Sequence, residues 1–397
     1  MSRVICDRYK CSGCSACKEA CPKQCISMEC DALDATYPII DESVCIDCGI
    51  CSKTCPNNRE IKFNKTQKVY AAWSNEQEIR RTSASGGIAY ELYRFWLQGG
   101  GVATGVVYDN KLGCHFVLLQ ELSELPATQN SKYTFSDTNG IYEVIKRKLE
   151  DAIPVLFIGV PCQVAGLLGF LKKDYENLTT VDIICHGMPP ASYLKQHIDS
   201  VEKQSHELAS ELSFRDPRYG TNTFTFTLTN NNGKEFYRKK VLSNDNFQLG
   251  YHRALIYREN CYHCSYACKD RISDLTIADF SGLGRFEPVS FERLNVSCLL
   301  QNTDKGADLL SKLHNVLVLY ERPMREAFEV EAQLKAPSLK HPARVVFEDE
   351  YKRTRNFKRA CDKALKEEKR KSVRLLMIRT IKSYIYKILV LLHIKKK

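Results

Sequence analysis

No uncharged stretch of this 397-residue sequence approaches the roughly 18 apolar residues that a membrane-spanning helix needs. The opening MSRVICDRYKC has no apolar run of a secretory signal, which argues against export and an oxidising compartment. Evenly spread positive charge is missing too. The net charge of +11 is concentrated in residues 351–397, with 17 Lys or Arg against 3 Asp or Glu, while the rest holds 41 basic and 44 acidic residues. The body has no general attraction to phosphate, so nucleic acid is excluded as its partner. What is abundant is cysteine, at 19 residues. In a chain expected to be cytoplasmic, that abundance points to metal rather than disulfides. Apolar residues at 44% and charged residues at 26% describe a globular protein long enough for about two or three domains.

Two copies of CxxCxxCxxxCP open the chain, CSGCSACKEACP from Cys11 and CIDCGICSKTCP from Cys45. Three thiolates at this spacing wrap one iron-sulfide cube, small intervening residues turn backbone amides toward the sulfides, and the fourth cysteine serves the other cube. One [4Fe-4S] cluster is thus assigned to Cys11, Cys14, Cys17 and Cys55, and a second to Cys45, Cys48, Cys51 and Cys21. The stretch between the runs supplies a short hairpin. Paired zinc knuckles are the competing reading, but they call for two ligand pairs and a long spacer. Cys6, Cys25 and Cys30 fall outside the pattern and read as small buried fillers.

From residue 65 helices and strands alternate. SASGGIAYELYRFWLQGGG sets Ser83, Ser85, Gly86 and Gly87 ahead of an amphipathic helix, a turn that suits a phosphate or is an ordinary cap. VATGVVYDNKLGCHFVLLQ reads as a hairpin, with Cys114 in the core. PVLFIGVPCQVAGLLGFL and TTVDIICHGMPPASYLKQHI each read as strand, turn and helix, which implies a parallel pair. Cys162 and Cys185 then sit past the carboxyl ends of neighbouring strands, the edge at which open α/β sheets bind ligands. A buried structural thiol is the alternative for each. ELSFRD and TFTFTLTNNNGKEFYRKKV are further strands, the latter a hairpin.

NCYHCSYACKDR presents Cys261, Cys264 and Cys268 with no fourth ligand nearby. Zinc could complete the set with His263 or His252. A third [4Fe-4S] would take a distant thiol, for which Cys185 ranks ahead of Cys162 and Cys298 third. His186, next to Cys185, is a candidate proton donor or simply a structural histidine, and no other acid or base stands out. KEEKRKSVRLLMIRTIKSYIYKILVLLHIKKK spaces apolar residues from Val373 to Leu392 by three and four among Lys and Arg, a helix suited to an anionic membrane surface, a partner or the body itself.

The ordered segments ASGG, SKYTFS, VLFIGVPCQVAGL, VDIICHGMPP, ELSFRD and CYHCSYACKDRISDLTIADF resemble the coenzyme F420 hydrogenase/dehydrogenase beta-subunit family over about residues 65–330. A bacterial-type two-[4Fe-4S] ferredoxin stands in front. The resemblance implies a flavoprotein, with FAD or a deazaflavin-linked substrate beside an iron-sulfur cluster. It also implies that Ser85, Gly86, Gly87 and Lys132 lie near flavin phosphate or ring, and Asp279 close by. In ADFSG, Ser281 replaces an aromatic residue frequent in that family, which removes a side chain that could pack on a ring.

The expected fold is an α+β ferredoxin-like domain (1–64) followed by an α/β body with a mixed, partly parallel sheet, divided into 65–150 and 151–345. A basic amphipathic tail (346–397) ends the chain. The leading functional reading is an iron-sulfur flavoprotein oxidoreductase, cytoplasmic or peripheral on the inner membrane face, serving a redox partner protein or a small-molecule acceptor. The alternatives are a flavin-free electron-transfer adaptor and an accessory protein of surface-polysaccharide biosynthesis.

Overall fold

The computed structural model describes residues 4–109, 111–241 and 244–371. At the front, Ile26–Cys30 and Thr36–Ile40 pair antiparallel, with Ile26 opposite Ile40. Two short helices, Ala16–Glu19 and Ile50–Thr54, each start within a cysteine run. So small a unit buries little hydrocarbon, and its interior consists of Ile5, Ile26, Cys17, Cys25 and Cys55.

The body is organised by a nine-stranded sheet. Its strands run in the order Leu317–Arg322, Lys68–Ser74, Ser297–Gln301, Leu275–Asp279, Leu178–Ile183, Val155–Gly159, Val102–Tyr108, Cys114–Leu119 and Ser136–Asp137. The four strands Leu275–Asp279, Leu178–Ile183, Val155–Gly159 and Val102–Tyr108 are mutually parallel, and antiparallel pairing flanks them on both sides. This is the mixed, partly parallel sheet that the alternation of elements predicts. Val155–Gly159 is buried at every position because helices cover both faces.

The helix Pro161–Leu171 has almost no polar face, and nine of its eleven residues are buried. A helix apolar all round must be covered all round. One side lies on the parallel strands and the other on the ferredoxin helices. Gly166 and Gly169 permit that second contact: a Cβ at Gly166 would stand 3.0 Å from Cys14 Sγ, and one at Gly169 would collide with the carbonyl of Thr54.

A second sheet, Glu211–Ser213, Phe226–Thr229 and Glu235–Lys239, packs with the helix Ala191–Ser205 around Tyr193, Phe214, Phe226 and Phe247. Helices Arg344–Thr354 and Phe357–Ala364 close this core with Phe347, Tyr351, Phe357 and Cys361, each fully buried. The first part of the segment expected as a tail is therefore packed on the body. Its apolar stripe, Val373 to Leu392, lies outside the described residues. Among the described residues no helix is long and apolar enough to cross a membrane.

Glu19 ties the front unit to the body. Its carboxylate accepts from the N–H groups of Tyr142 and Glu143, which open the helix Ile141–Glu150, and from Thr138 Oγ1. Burial outweighs these donors and pushes its pKa up to about 7 from 4.5. The folded protein thus holds this proton more tightly than the unfolded chain, so stability falls as pH rises from about 4.5 to 7. Glu19→Gln should flatten that part of a Tm-against-pH curve, and Glu19→Ala should cost about 1 kcal/mol by removing the helix cap.

Candidate metal centres

The two cysteine runs repeat a backbone as well as a spacing. Gly13 and Ser15 in the first have φ of 71° and 60°, and Asp47 and Gly49, at the same places in the second, have 56° and 68°. Left-handed residues are uncommon outside glycine, so Ser15 and Asp47 mark strain held at the same two places of both turns. Around the first run Cys11, Cys14, Cys17 and Cys55 are near enough to raise one another's pKa, and burial, the largest influence, pushes Cys14 up to about 12. Around the second, Cys21, Cys45, Cys48 and Cys51 line a cavity of ≈ 330 Å³, with Cys48 exposed. Thiols that burial keeps protonated become ligands when a metal supplies the compensating charge. The donor sets and the twice-used turn fit the iron-sulfur reading.

The fillers need correction. Cys30 is exposed. Cys25 is buried, but its Sγ lies 3.4 Å from Cys21 Sγ. Cys6 packs on Cys11 and Cys55, and Asn57 Nδ2 lies 3.9 Å from the sulfurs of both Cys6 and Cys55. Each run therefore has one further thiol beside it, a contact across the fold that no local spacing reveals.

At the carboxyl edge of the parallel strands the structure gathers four thiols. Cys162 lies in the first turn after Val155–Gly159, and Cys185 two residues beyond Leu178–Ile183. Cys261 and Cys264 join them from the loop, and all four line one cavity with Pro161, His186 and Tyr266. Burial and then the neighbouring thiols raise the pKa of Cys162 and Cys185, and burial pushes Cys261 up to about 11. The N–H of Met188 donates to Cys261 Sγ at 3.4 Å.

Cys268 is not brought into this group. Its sulfur lies 3.2 Å from the carbonyl of Asp270, beside a different cavity with Lys269 and Phe328. Neither histidine considered for zinc lines the four-thiol cavity: His263 faces Glu259 at 3.3 Å and His252 packs on Phe224 and Tyr251. Cys298 is buried on its strand, near Glu326 and Glu331. Among the described residues no three His, Cys, Asp or Glu side chains stand close enough to share one ion. A [4Fe-4S] cube gives each thiolate its own iron, so its ligands do not meet at one point.

Pro161–Leu171 joins the first and third thiol sets. Cys14 abuts Gly166, and Cys162 lies four residues earlier on the same helix, about one turn or 6 Å along its axis.

The residues tied to flavin by resemblance are less uniform. Gly86 N–H donates to Ser297 Oγ at 2.8 Å, and Ser297 is register partner of both Asp279 and Ala72. The Ser85–Gly87 turn and Asp279 therefore occupy one sheet edge. Ser85 Oγ is bonded to the Val296 carbonyl, and Ser83 Oγ is buried without a partner. Lys132 Nζ donates to the carbonyls of Ala127, Thr128 and Gln129, and burial lowers its pKa to about 8. Asp279 pairs with buried Arg215 at 2.7 Å, and Arg215 lies over the ring of Phe224. Ser281 Oγ bonds Glu331, whose carboxylate is 3.9 Å from His186.

Residues 154–327 match the family model for the C terminus of the coenzyme F420 hydrogenase/dehydrogenase beta subunit. Residues 38–58 match the 4Fe-4S binding domain. The chain belongs to the F420 hydrogenase/dehydrogenase beta-subunit family, with a 4Fe-4S domain ahead of it. A solved relative is the F420-reducing [NiFe] hydrogenase complex from Methanosarcina barkeri, in a xenon-derivatised form, at 16% identity and TM-score 0.43, covering 77% of this chain and 92% of that one. No curated protein matches. The family match spans Cys162, Cys185, Cys261, Cys264 and Asp279, and the iron-sulfur match spans Cys45, Cys48, Cys51 and Cys55.

The loop that delivers Cys261 and Cys264 is anchored by Arg271. Its Nη2 donates to Asp182 at 2.7 Å and its Nη1 to the carbonyls of Tyr266 and Cys268, and both members of the ion pair are buried. Arg271→Met should cost about 3–5 kcal/mol by stranding Asp182. Arg271→Met with Asp182→Asn should recover much of that loss in thermal unfolding.

Proposed function

We propose that this protein moves electrons between a redox partner that meets the exposed Cys45–Cys51 end and an acceptor at the carboxyl edge of the large sheet. The observation that carries this reading is the placement of three thiol sets, the inner two joined by one helix. Cys11, Cys14, Cys17 and Cys55 would hold one [4Fe-4S] cluster, Cys21, Cys45, Cys48 and Cys51 another, and Cys162, Cys185, Cys261 and Cys264 a third. Such clusters, when bound, supply one-electron transfer. The chain's own residues fix the order of the sets and keep the inner two dry. Cys268 is left out of the third set on geometric grounds.

The acceptor side is the row Ser85–Gly87, Ser297 and Asp279, with Arg215 and His186 nearby. A flavin such as FAD or a deazaflavin-linked substrate suits this edge, as the family implies, and makes the protein an oxidoreductase. One observation favours the flavin-free adaptor instead. The Gly86 amide and the Lys132 ammonium, which the resemblance assigns to flavin, are both used within the protein. A place in surface-polysaccharide biosynthesis and attachment of the basic tail to an anionic membrane stay as readings of the sequence.

Iron, sulfide, zinc and released flavin measured on one anaerobic preparation test the proposal. About twelve irons per chain, one flavin and no zinc are expected. Cys162→Ser should lose about four irons, and Cys268→Ser none. About eight irons with one zinc and no flavin would make the four-thiol site structural and the protein an adaptor.

A further inference from the structure

Arg258 stands three residues ahead of Cys261, yet its side chain reaches into the ferredoxin unit. It is 2% exposed. Nη2 donates to the Thr36 carbonyl at 2.8 Å, and the rings of Tyr37 and Phe135 lie 5.5 and 4.9 Å from Cζ. A Cβ at Gly13 would come within 2.8 Å of Nη2, so the absence of a side chain there lets the guanidinium lie against the CSGC turn. Nε makes a long contact with Asn260 Oδ1 at 3.4 Å, and buried Nη1 has no hydrogen-bond partner.

A dry guanidinium with an unused donor costs several kcal/mol unless an anion accompanies it. Cys11, on the other side of Gly13, is close enough to feel the charge. A cluster ligated by four thiolates is such an anion. Its potential depends on net charge, hydrogen bonds to its sulfurs and exposure. Burial alone disfavours the more negative reduced form, and a fixed positive charge opposes that effect. The cavity of the second set has only Lys23 and Asp47 as charged lining residues, one of each sign.

We propose that Arg258 is the counter-charge of the cluster held by Cys11, Cys14, Cys17 and Cys55, giving its Nη1 hydrogen bond to that cluster's sulfur and raising its reduction potential. This rests on the ferredoxin reading of the two cysteine runs. It gives the buried site a way to accept an electron without becoming a barrier between the exposed set and the four-thiol edge.

The test is a mediated potentiometric titration of the anaerobically purified full chain with EPR detection, comparing wild type, Arg258→Gln and Arg258→Lys. Loss of one signal in Cys14→Ser assigns the first cluster. Arg258→Gln should lower that cluster's midpoint by tenfold or more in its one-electron equilibrium, about 59 mV, with the second cluster little changed. Arg258→Lys should give a smaller negative shift confined to the same cluster, and it decides the matter if Arg258→Gln does not fold. A first-cluster midpoint unmoved in the variants overturns the proposal, as does an equal shift of both clusters. If wild type shows no signal that depends on Cys14, the ferredoxin reading itself fails and the proposal falls with it.

Discussion

The close approach of Pro161–Leu171 to the ferredoxin unit is the contact on which the rest of the structure depends. A helix interior normally disfavours glycine, by about 1 kcal/mol relative to alanine. Here Gly166 and Gly169 face Cys14 and Thr54, where a side chain would hold the two units apart. The same helix follows directly from a central parallel strand and bears Cys162 in its first turn. One rigid element thus sets the spacing between the first thiol set and the sheet edge. Rigidity matters because that spacing then does not depend on a flexible linker.

Close packing has an electrostatic consequence. The thiol sets, Glu19, Arg258 and the Asp182–Arg271 pair are all removed from water, where an isolated charge is costly. Each has a local answer: helix-opening amides for Glu19, a bidentate-capable guanidinium for Asp182, and aromatic faces with a carbonyl for Arg258. The cysteines have no such answer within the protein, since their largest influence is burial and the next is one another. Four neighbouring thiols that resist ionisation become a favourable arrangement only once a cationic centre joins them. That is the physical reason for reading the sheet-edge group as a metal centre.

Local repetition is the legible part of this chain. CxxCxxCxxxCP carries its own geometry, since each run forms its turn from adjacent residues, and the strand–turn–helix pattern alone puts Cys162 and Cys185 on one edge. Membership of the third set is harder to read. CxxCxxxC does not say which of its sulfurs turn inward, and that is decided by Arg271 holding the loop to a strand residue 89 positions earlier. Cys6 and Arg258 are hidden for the same reason, because both act across the fold. Lys132 shows the opposite failure, a basic residue with a family-implied role whose ammonium is taken up by three nearby carbonyls. The helices at 344–364 are masked by a charge count, because Phe347, Tyr351 and Phe357 supply the core face while Lys and Arg dominate the composition.

The sheet edge also limits the chemistry that the acceptor side can support. Gly86, Ser297 and Asp279 are tied by a hydrogen bond and by strand register, so a ligand there meets a fixed surface rather than a loop. Asp279 does not present a bare charge, because Arg215 neutralises it, and Arg215 is itself held by Phe224 and the Thr221 carbonyl. Such a pair offers a donor and an acceptor side by side with little net field, which suits a neutral, planar, hydrogen-bonding ring better than a phosphate. A phosphate would need free amides or an unpaired cation, and at this turn the Gly86 amide is already bonded. If a flavin binds here, its ring has a better-prepared surface than its phosphates. The Ser281 that stands in place of an aromatic residue then removes one stacking face from the part of the cofactor that the edge is otherwise able to receive.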